Sequence, residues 1–202
     1  MCTLFLAVHM ATGMKLSLST TSGADGRNAQ SDTKTRTSKN SWVTRGRSPI
    51  MDSIYIRAAD LMQIDEALLR NRNYSELPEV EHKGGIAEQL QLVHYAKSEQ
   101  YTPHHDFAYP SSTKKGQPAR FATLLLYLNE GMSGGETTFP RWVNSETSER
   151  LRVVPEVGKA VLFYDQLPDG NMDDFSQHAA EPVRQGEKWL INLWTWDPFL
   201  HI

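Results

Sequence analysis

The chain has 202 residues, 39% hydrophobic and 22% charged, with a formal net charge of −3, which suits one domain with a full core. The near-neutral balance gives no electrostatic pull toward nucleic acid. A single cysteine, Cys2, excludes an intrachain disulfide framework and a multi-cysteine zinc site.

No segment reaches the ~20 apolar residues of a membrane span. The apolar run over residues 1–8 lacks a basic n-region. It reads as the end of a core helix or strand in a chain whose start is missing rather than as a signal peptide. Residues 17–48 are rich in Ser, Thr, Asn, Gly, Lys and Arg, with six basic residues between Arg27 and Arg47 against Asp32 alone. That composition predicts a solvated loop. From Ser48 to Leu69 the pattern turns helical. Pro49 suits a first turn, and Ile50, Ile54, Ala58, Leu61 and Met62 recur at three-to-four spacing. A second helical piece covers Gln63 to Leu69, and Pro78 and Gly84-Gly85 close the region.

After Gly85 the period becomes two. Leu90, Leu92 and His94 alternate with Gln91, Val93 and Tyr95, one set on each face of a strand. Arg120–Asn129 reads as a long buried strand, Gly134-Gly135 as a turn and Glu136–Phe139 as a short strand ended by Pro140. Lys159–Tyr164 and Lys188–Trp196 are further strands. Short strands between Gly, Pro and Asp turns predict an α+β, mainly β fold, a β-barrel or jelly roll (double-stranded β-helix) with N-terminal helices packed outside.

The chemistry concentrates in Tyr101-Thr-Pro-His104-His105-Asp106. Residues two apart in a strand share a face, so His104 and Asp106 can grip one ion while His105 points away. His-His-Asp is readable with either histidine; strand geometry favours His104. A third ligand must come from a separate strand, and His178, followed by Ala179-Ala180, leaves room for a metal and a cosubstrate. Two histidines and a carboxylate suit Fe(II) with open positions better than structural zinc. Lys188, ten residues after His178, supplies a cation for an anionic cosubstrate. A buried ammonium is stable only when paired. Tyr95 is the hydroxyl candidate beside it.

These motifs, with Thr35-Arg-Thr-Ser38, Trp42, Arg45-Gly46, Gly134-Gly-Glu-Thr-Thr-Phe-Pro140, Gly158–Phe163, His178-Ala-Ala-Glu-Pro-Val183 and Gly186-Glu-Lys188-Trp189, occur in an order that resembles the catalytic domain of the prolyl 4-hydroxylases. These are Fe(II)- and 2-oxoglutarate-dependent dioxygenases of the collagen and plant cell-wall type. The resemblance covers roughly residues 33–197. It implies a catalytic domain at 35–202 behind a poorly matching, truncated or partly disordered N-terminal segment at 1–34. It implies His104, Asp106 and His178 as iron ligands, with Lys188 as the partner of the far 2-oxoglutarate carboxylate, assisted by Tyr95 and Thr137. Tyr101, Arg120 and Trp194 match positions lining the peptide groove and active site. The implied reaction is hydroxylation of peptidyl proline at C4, with O2 as oxidant and 2-oxoglutarate decarboxylated to succinate and CO2. Ascorbate as reductant, a proline-rich or collagen-like peptide as substrate, and the endoplasmic reticulum or secretory pathway as location are implied as well.

Three departures stand out. Ser98 replaces the glycine of the family's Tyr-x-x-Gly-x-x-Tyr, Glu181 replaces a cysteine, and Trp196 replaces a basic residue of the last strand. The last two keep one rival reading open, and two more come from other classes. One is a related dioxygenase acting on another peptide residue or a small molecule. Another is a non-catalytic jelly-roll binding module, and a third is a zinc hydrolase on the same three ligands.

Overall fold

The structure, a computed structural model, describes residues 15–22, 29–30, 34–70, 85–107 and 119–197. The apolar run at residues 1–8, Pro78 and Gly84, and the stretch 108–118 after the candidate metal strand lie outside the described residues. In chain order the strands are β1 (Ser17–Leu18), β2 (Thr21–Ser22), β3 (Ala29–Gln30), β4 (Lys39–Val43), β5 (Leu90–Tyr95), β6 (Tyr101–His104), β7 (Arg120–Tyr127), β8 (Ser133–Gly134), β9 (Thr137–Val143), β10 (Arg150–Val153), β11 (Ala160–Tyr164), β12 (His178–Ala180), β13 (Val183–Gln185) and β14 (Lys188–Trp196). One α-helix, α1 (Pro49–Met62), lies between β4 and β5.

The strands form a six-stranded sheet in the order β1-β4-β5-β14-β7-β11 and a four-stranded sheet in the order β10-β9-β12-β6, with the short pairs β13-β8 and β2-β3 beside them. The pairings are antiparallel. The jelly-roll expectation holds, but as two open sheets among the described residues rather than a closed barrel. The large sheet is covered on both faces, and strand alternation sorts its side chains. Leu90, Leu92, Ala122, Leu124, Trp189, Ile191 and Leu193 pack toward α1. Val93, Tyr95, Leu125, Tyr127 and Leu190 point the other way and meet Ala180 and Val183. Because neither face meets water, β7 is mostly apolar, with Arg120 and Thr123 as the polar exceptions.

Helix α1 starts where Ser48 accepts a hydrogen bond from the Met51 N–H and Pro49 occupies the first turn. It stops at Gln63, whose left-handed φ of 57° ends the helical hydrogen bonding. The predicted second piece is a single 3-10 turn over Glu66–Leu69. The buried stripe is Met51, Tyr55, Ala58, Ala59 and Met62, rotated from the predicted one. Ile50 and Ile54 pack at its margin and Leu61 is 52% exposed.

Two further expectations are corrected. Residues 39–43, inside the predicted loop, are a strand paired with β5 from Lys39↔His94 to Val43↔Leu90. Its polar inward residues hid it: Asn40 and the adjacent Ser38 are buried rather than solvated, and the Ser38 hydroxyl donates to Ser19. Pro140 does not end its strand; β9 runs on to Val143. The register against β10 shifts between Leu151↔Phe139 and Arg150↔Val143, so Pro140 sits in the irregular stretch, where its missing N–H costs no ladder bond.

Candidate active site

Strand β6 ends at His104 and β12 begins at His178, and the two are directly opposed in the antiparallel register. Their rings lie 4.3 Å apart. Asp106, just past the end of β6, sits between them: His104 Nε2 is 3.7 Å from Oδ1 and His178 Nε2 3.7 Å from Oδ2. One ligand atom from each of the three lies within 4.8 Å of the others. His105, the competing reading, places its Nε2 against the Asp174 backbone carbonyl at 3.3 Å.

Each histidine of the cluster is oriented by its own backbone. His104 Nδ1 faces the Thr102 carbonyl at 2.8 Å, and His178 Nδ1 faces the Ser176 carbonyl at 3.0 Å. With Nδ1–H donated to a carbonyl, the Nε2 lone pair of each points to the shared centre. Burial, then the neighbouring His178, push the His104 imidazole down to about 3, so it is a neutral donor at physiological pH. Burial raises the Asp106 carboxyl, but His178, His104, Arg120 and the Trp194 indole N–H outweigh it and hold the group below the usual carboxylate range. Two imidazoles oriented through their Nδ1 atoms and one ionised carboxylate, gathered on one side of a centre, fit a divalent iron that keeps open positions.

The carboxylate is itself supported. Asp106 Oδ2 accepts from the Thr123 hydroxyl at 2.8 Å and from Trp194 Nε1 at 2.9 Å. Arg120 donates to the Asp106 backbone carbonyl at 3.2 Å, is clamped by Glu88 at 2.7 and 3.1 Å, and lies 3.8 Å over the Trp194 ring. Two of the three expected peptide-groove residues, Arg120 and Trp194, therefore touch the ligand residue itself. The third, Tyr101, stacks on His104 at 3.5 Å and 15°, with the Arg36 guanidinium 4.7 Å over its other side. Trp196, in the place of the expected basic residue, lies 5.9 Å from the Arg120 guanidinium.

Lys188 begins β14 opposite Tyr95 on β5. It is fully buried, and Nζ donates to the Gly135 carbonyl at 2.7 Å. Its ammonium lies 5.2 Å from the Tyr95 ring and 5.6 Å from the Tyr127 ring. Burial pushes its pKa down to about 7, against the opposing pull of Glu136 and Glu181. Gly135 has φ +75°, and a Cβ there would come within 3.3 Å of the lysine Cδ, so glycine makes room for the side chain. Thr137 is buried on β9 and accepts from the Tyr127 hydroxyl at 2.7 Å. It is paired with Ala180, two residues from His178. Glu181, where the family has cysteine, accepts from the Thr138 hydroxyl at 2.8 Å.

Three residues at the site escaped the sequence reading in these roles: Thr123, Tyr127 and Arg36. The first two carry a usable signal, since they lie on the same face of β7 at a spacing of four and are the hydroxyl residues of a strand that is otherwise apolar after Arg120.

Residues 90–196 match the family described as the 2OG-Fe(II) oxygenase superfamily. Over 175 residues, 81% of this chain and 55% of the relative, the sequence is 34% identical to "Probable prolyl 4-hydroxylase 3" of Arabidopsis thaliana. Over 163 residues, 79% of this chain and 27% of the relative, it is 34% identical to prolyl 4-hydroxylase subunit alpha-1 of Gallus gallus. The chain thus spans about half the length of the plant relative and about a quarter of the animal one. In fold it is similar to the viral collagen prolyl hydroxylase of Paramecium Bursaria Chlorella virus-1 in its 2OG complex, with TM-score 0.65, 20% identity and coverage of 96% of this chain and 90% of that one. It is likewise similar to a Trichoplax adhaerens prolyl hydroxylase in complex with a hypoxia inducible factor peptide fragment, with TM-score 0.62, 16% identity and coverage of 98% and 78%. The chain belongs to the 2OG-Fe(II) oxygenase superfamily.

Proposed function

We propose that this chain hydroxylates peptidyl proline at C4, using Fe(II), 2-oxoglutarate and O2, with ascorbate as the maintaining reductant and the secretory pathway as its setting. The observation that carries the reading is the cluster of His104, Asp106 and His178, with ligand atoms within 4.8 Å of one another, in a chain that also buries an ammonium, Lys188, beside Tyr95 and Tyr127. The similarity to plant and animal prolyl 4-hydroxylases supports the choice of substrate.

His104 Nε2, Asp106 and His178 Nε2 would hold the iron. Bound there with 2-oxoglutarate and O2, it supplies the oxidation that converts the keto acid to succinate and CO2 and inserts one oxygen into a C–H bond. The chain's residues bind, orient and exclude water. Lys188 would take the far carboxylate, exchanging a lone carbonyl contact for an ion pair, assisted by Tyr95, whose ring lies 5.2 Å from the ammonium, and by Thr137. The neutral His104 imidazole and ionised Asp106 offer lone pairs without first losing protons. Tyr101, Arg120 and Trp194 form the wall from which a prolyl ring would approach, and each is already locked against a ligand residue.

The test is mass spectrometry of poly-proline and collagen-like peptides incubated with the protein, Fe(II), 2-oxoglutarate and ascorbate. A gain of one oxygen on proline, matched by succinate, is the expected result. Succinate formation with no proline modified in either peptide class would move the activity to another substrate.

A further inference from the structure

Thr123 has one hydroxyl proton and two carboxylates within reach. Its Oγ1 lies 2.8 Å from Oδ2 of Asp106 and 3.1 Å from Oδ2 of Asp165. If both carboxylates were ionised, one of these contacts would set lone pair against lone pair. Asp165 directly follows β11, is fully buried, and its Oδ1 has no hydrogen-bond partner among the described residues. Around it stand Thr123 and Arg120 of β7, Asp106 beyond β6, and Ser176 with Asp173 at the 3-10 turn before β12. None of these supplies a free counter-charge. Arg120 is held by Glu88 and the Asp106 carbonyl, and the Ser176 hydroxyl donates to the Asp173 carbonyl. Burial, then the charge of Asp106, push the Asp165 carboxyl well above the usual carboxylate range, against opposing pulls from Thr123, Arg120 and Ser176. Asp106 cannot be the neutral partner in the holo site, because it must be ionised to ligate a metal, and its Oδ2 already accepts two donors.

We infer that Asp165 is a neutral carboxylic acid that donates its proton to Thr123, so that a one-way hydrogen-bond chain from Asp165 through Thr123 to Asp106 fixes the ligand carboxylate. With Oδ2 occupied by Thr123 and Trp194, Oδ1 is the oxygen left for the metal. Asp165 is thus a positioning residue that acts through another side chain. The inference rests on the metal reading of the triad and adds to it a buried acid outside the ligand set.

The test uses the metal-free wild-type chain with two variants. D165N keeps the shape and a donor toward Thr123; D165V removes the donor. Co(II) affinity, read from visible absorption, is expected to stay near wild type in D165N and to weaken about ten- to a hundred-fold in D165V. Equal affinity in the two variants overturns the inference. Infrared difference spectra supply a readout that a purely structural role would not move. At neutral pH the wild type is expected to show a carboxylic-acid carbonyl stretch that D165N lacks. Its absence from the wild type means Asp165 is ionised, and this too overturns the inference. The infrared arm needs only wild type and D165N, so it decides even where D165V fails to fold. If the wild type binds no Co(II), the metal reading of the triad falls, while the infrared band still decides the protonation of Asp165.

Discussion

At Lys188, binding and stability pull in opposite directions. An ammonium with no exposure and a single carbonyl acceptor is costly to fold, and its pKa falls from 10.5 to about 7. The unfolded chain keeps this proton up to about 10.5, whereas the folded chain releases it near 7. Between those values the unfolded state binds more protons, so the contribution of this residue to stability rises with pH. Lys188→Met is therefore expected to raise stability at neutral pH by about 1–3 kcal/mol. It should also flatten the rise between neutral pH and about pH 9, measured by urea denaturation at both. The same variant should raise the 2-oxoglutarate requirement for succinate formation by orders of magnitude, because the far carboxylate would be buried without a partner. A variant that is less stable at neutral pH, with an unchanged cosubstrate requirement, would remove Lys188 from the pocket. Among the histidines, His104→Ala should abolish peptide-dependent succinate formation, while His105→Ala should leave Co(II) binding near wild type, because its Nε2 faces Asp174 rather than the cluster. Loss of metal in the His105 variant would mean that the ligand is the other histidine.

At the scale of elements, turns set which residues face each other. The β5–β6 connection contains Ser98 with φ +70°, a conformation that L side chains adopt at a cost. Its N–H bonds the Val183 carbonyl at 2.7 Å, tying the turn to β13 while β6 runs on to place His104 opposite His178. Ser98→Gly removes the Cβ penalty and should stabilise the protein by about 0.5–1 kcal/mol, since the relief exceeds the added flexibility of the unfolded chain. A higher urea midpoint with an unchanged slope is the expected reading; a lower midpoint would mean the serine side chain holds the turn. Here lies the boundary of what sequence conveys. Strands β5 and β14 were readable to the residue, because apolar alternation and Gly punctuation define them. The start of α1 at Ser48-Pro49 was readable for the same local reason. The pairing of His104 with Asp106 was expected from strand period, although Asp106 lies just past the end of β6. What stayed hidden depends on neighbours distant in sequence: β4, whose inward residues are polar, and the continuation of β9 past Pro140. Asp165 stayed hidden as well, since nothing local marks it until Thr123 and Asp106 are placed beside it.

For the whole molecule, the site is the seam between the two sheets. His104 and His178 belong to the four-stranded sheet, while Thr123 and Trp194, which hold Asp106, belong to the six-stranded sheet along with Lys188 and Tyr95. A divalent ion with 2-oxoglutarate would tie the sheets together across a space otherwise spanned by side-chain contacts. Ligands that bind only the folded state stabilise it by mass action, about 2.7 kcal/mol at a hundredfold excess over Kd. For a chain of this size that corresponds to a Tm increase of about 5–10 °C. Co(II) plus 2-oxoglutarate is expected to produce such a shift in the wild type, and chelation of the metal to reverse it. His178→Ala should lose the shift because it removes a ligand, and Lys188→Met should keep only the part due to metal. Arg45→Ala breaks the ion pairs with Asp52 and Glu66 beside α1, on the other side of the large sheet. It should lower the starting Tm yet keep the full ligand shift, because that network stabilises the helix layer and not the seam. A full shift retained in His178→Ala would show that the ligands act elsewhere and that the sheets are not joined at this centre.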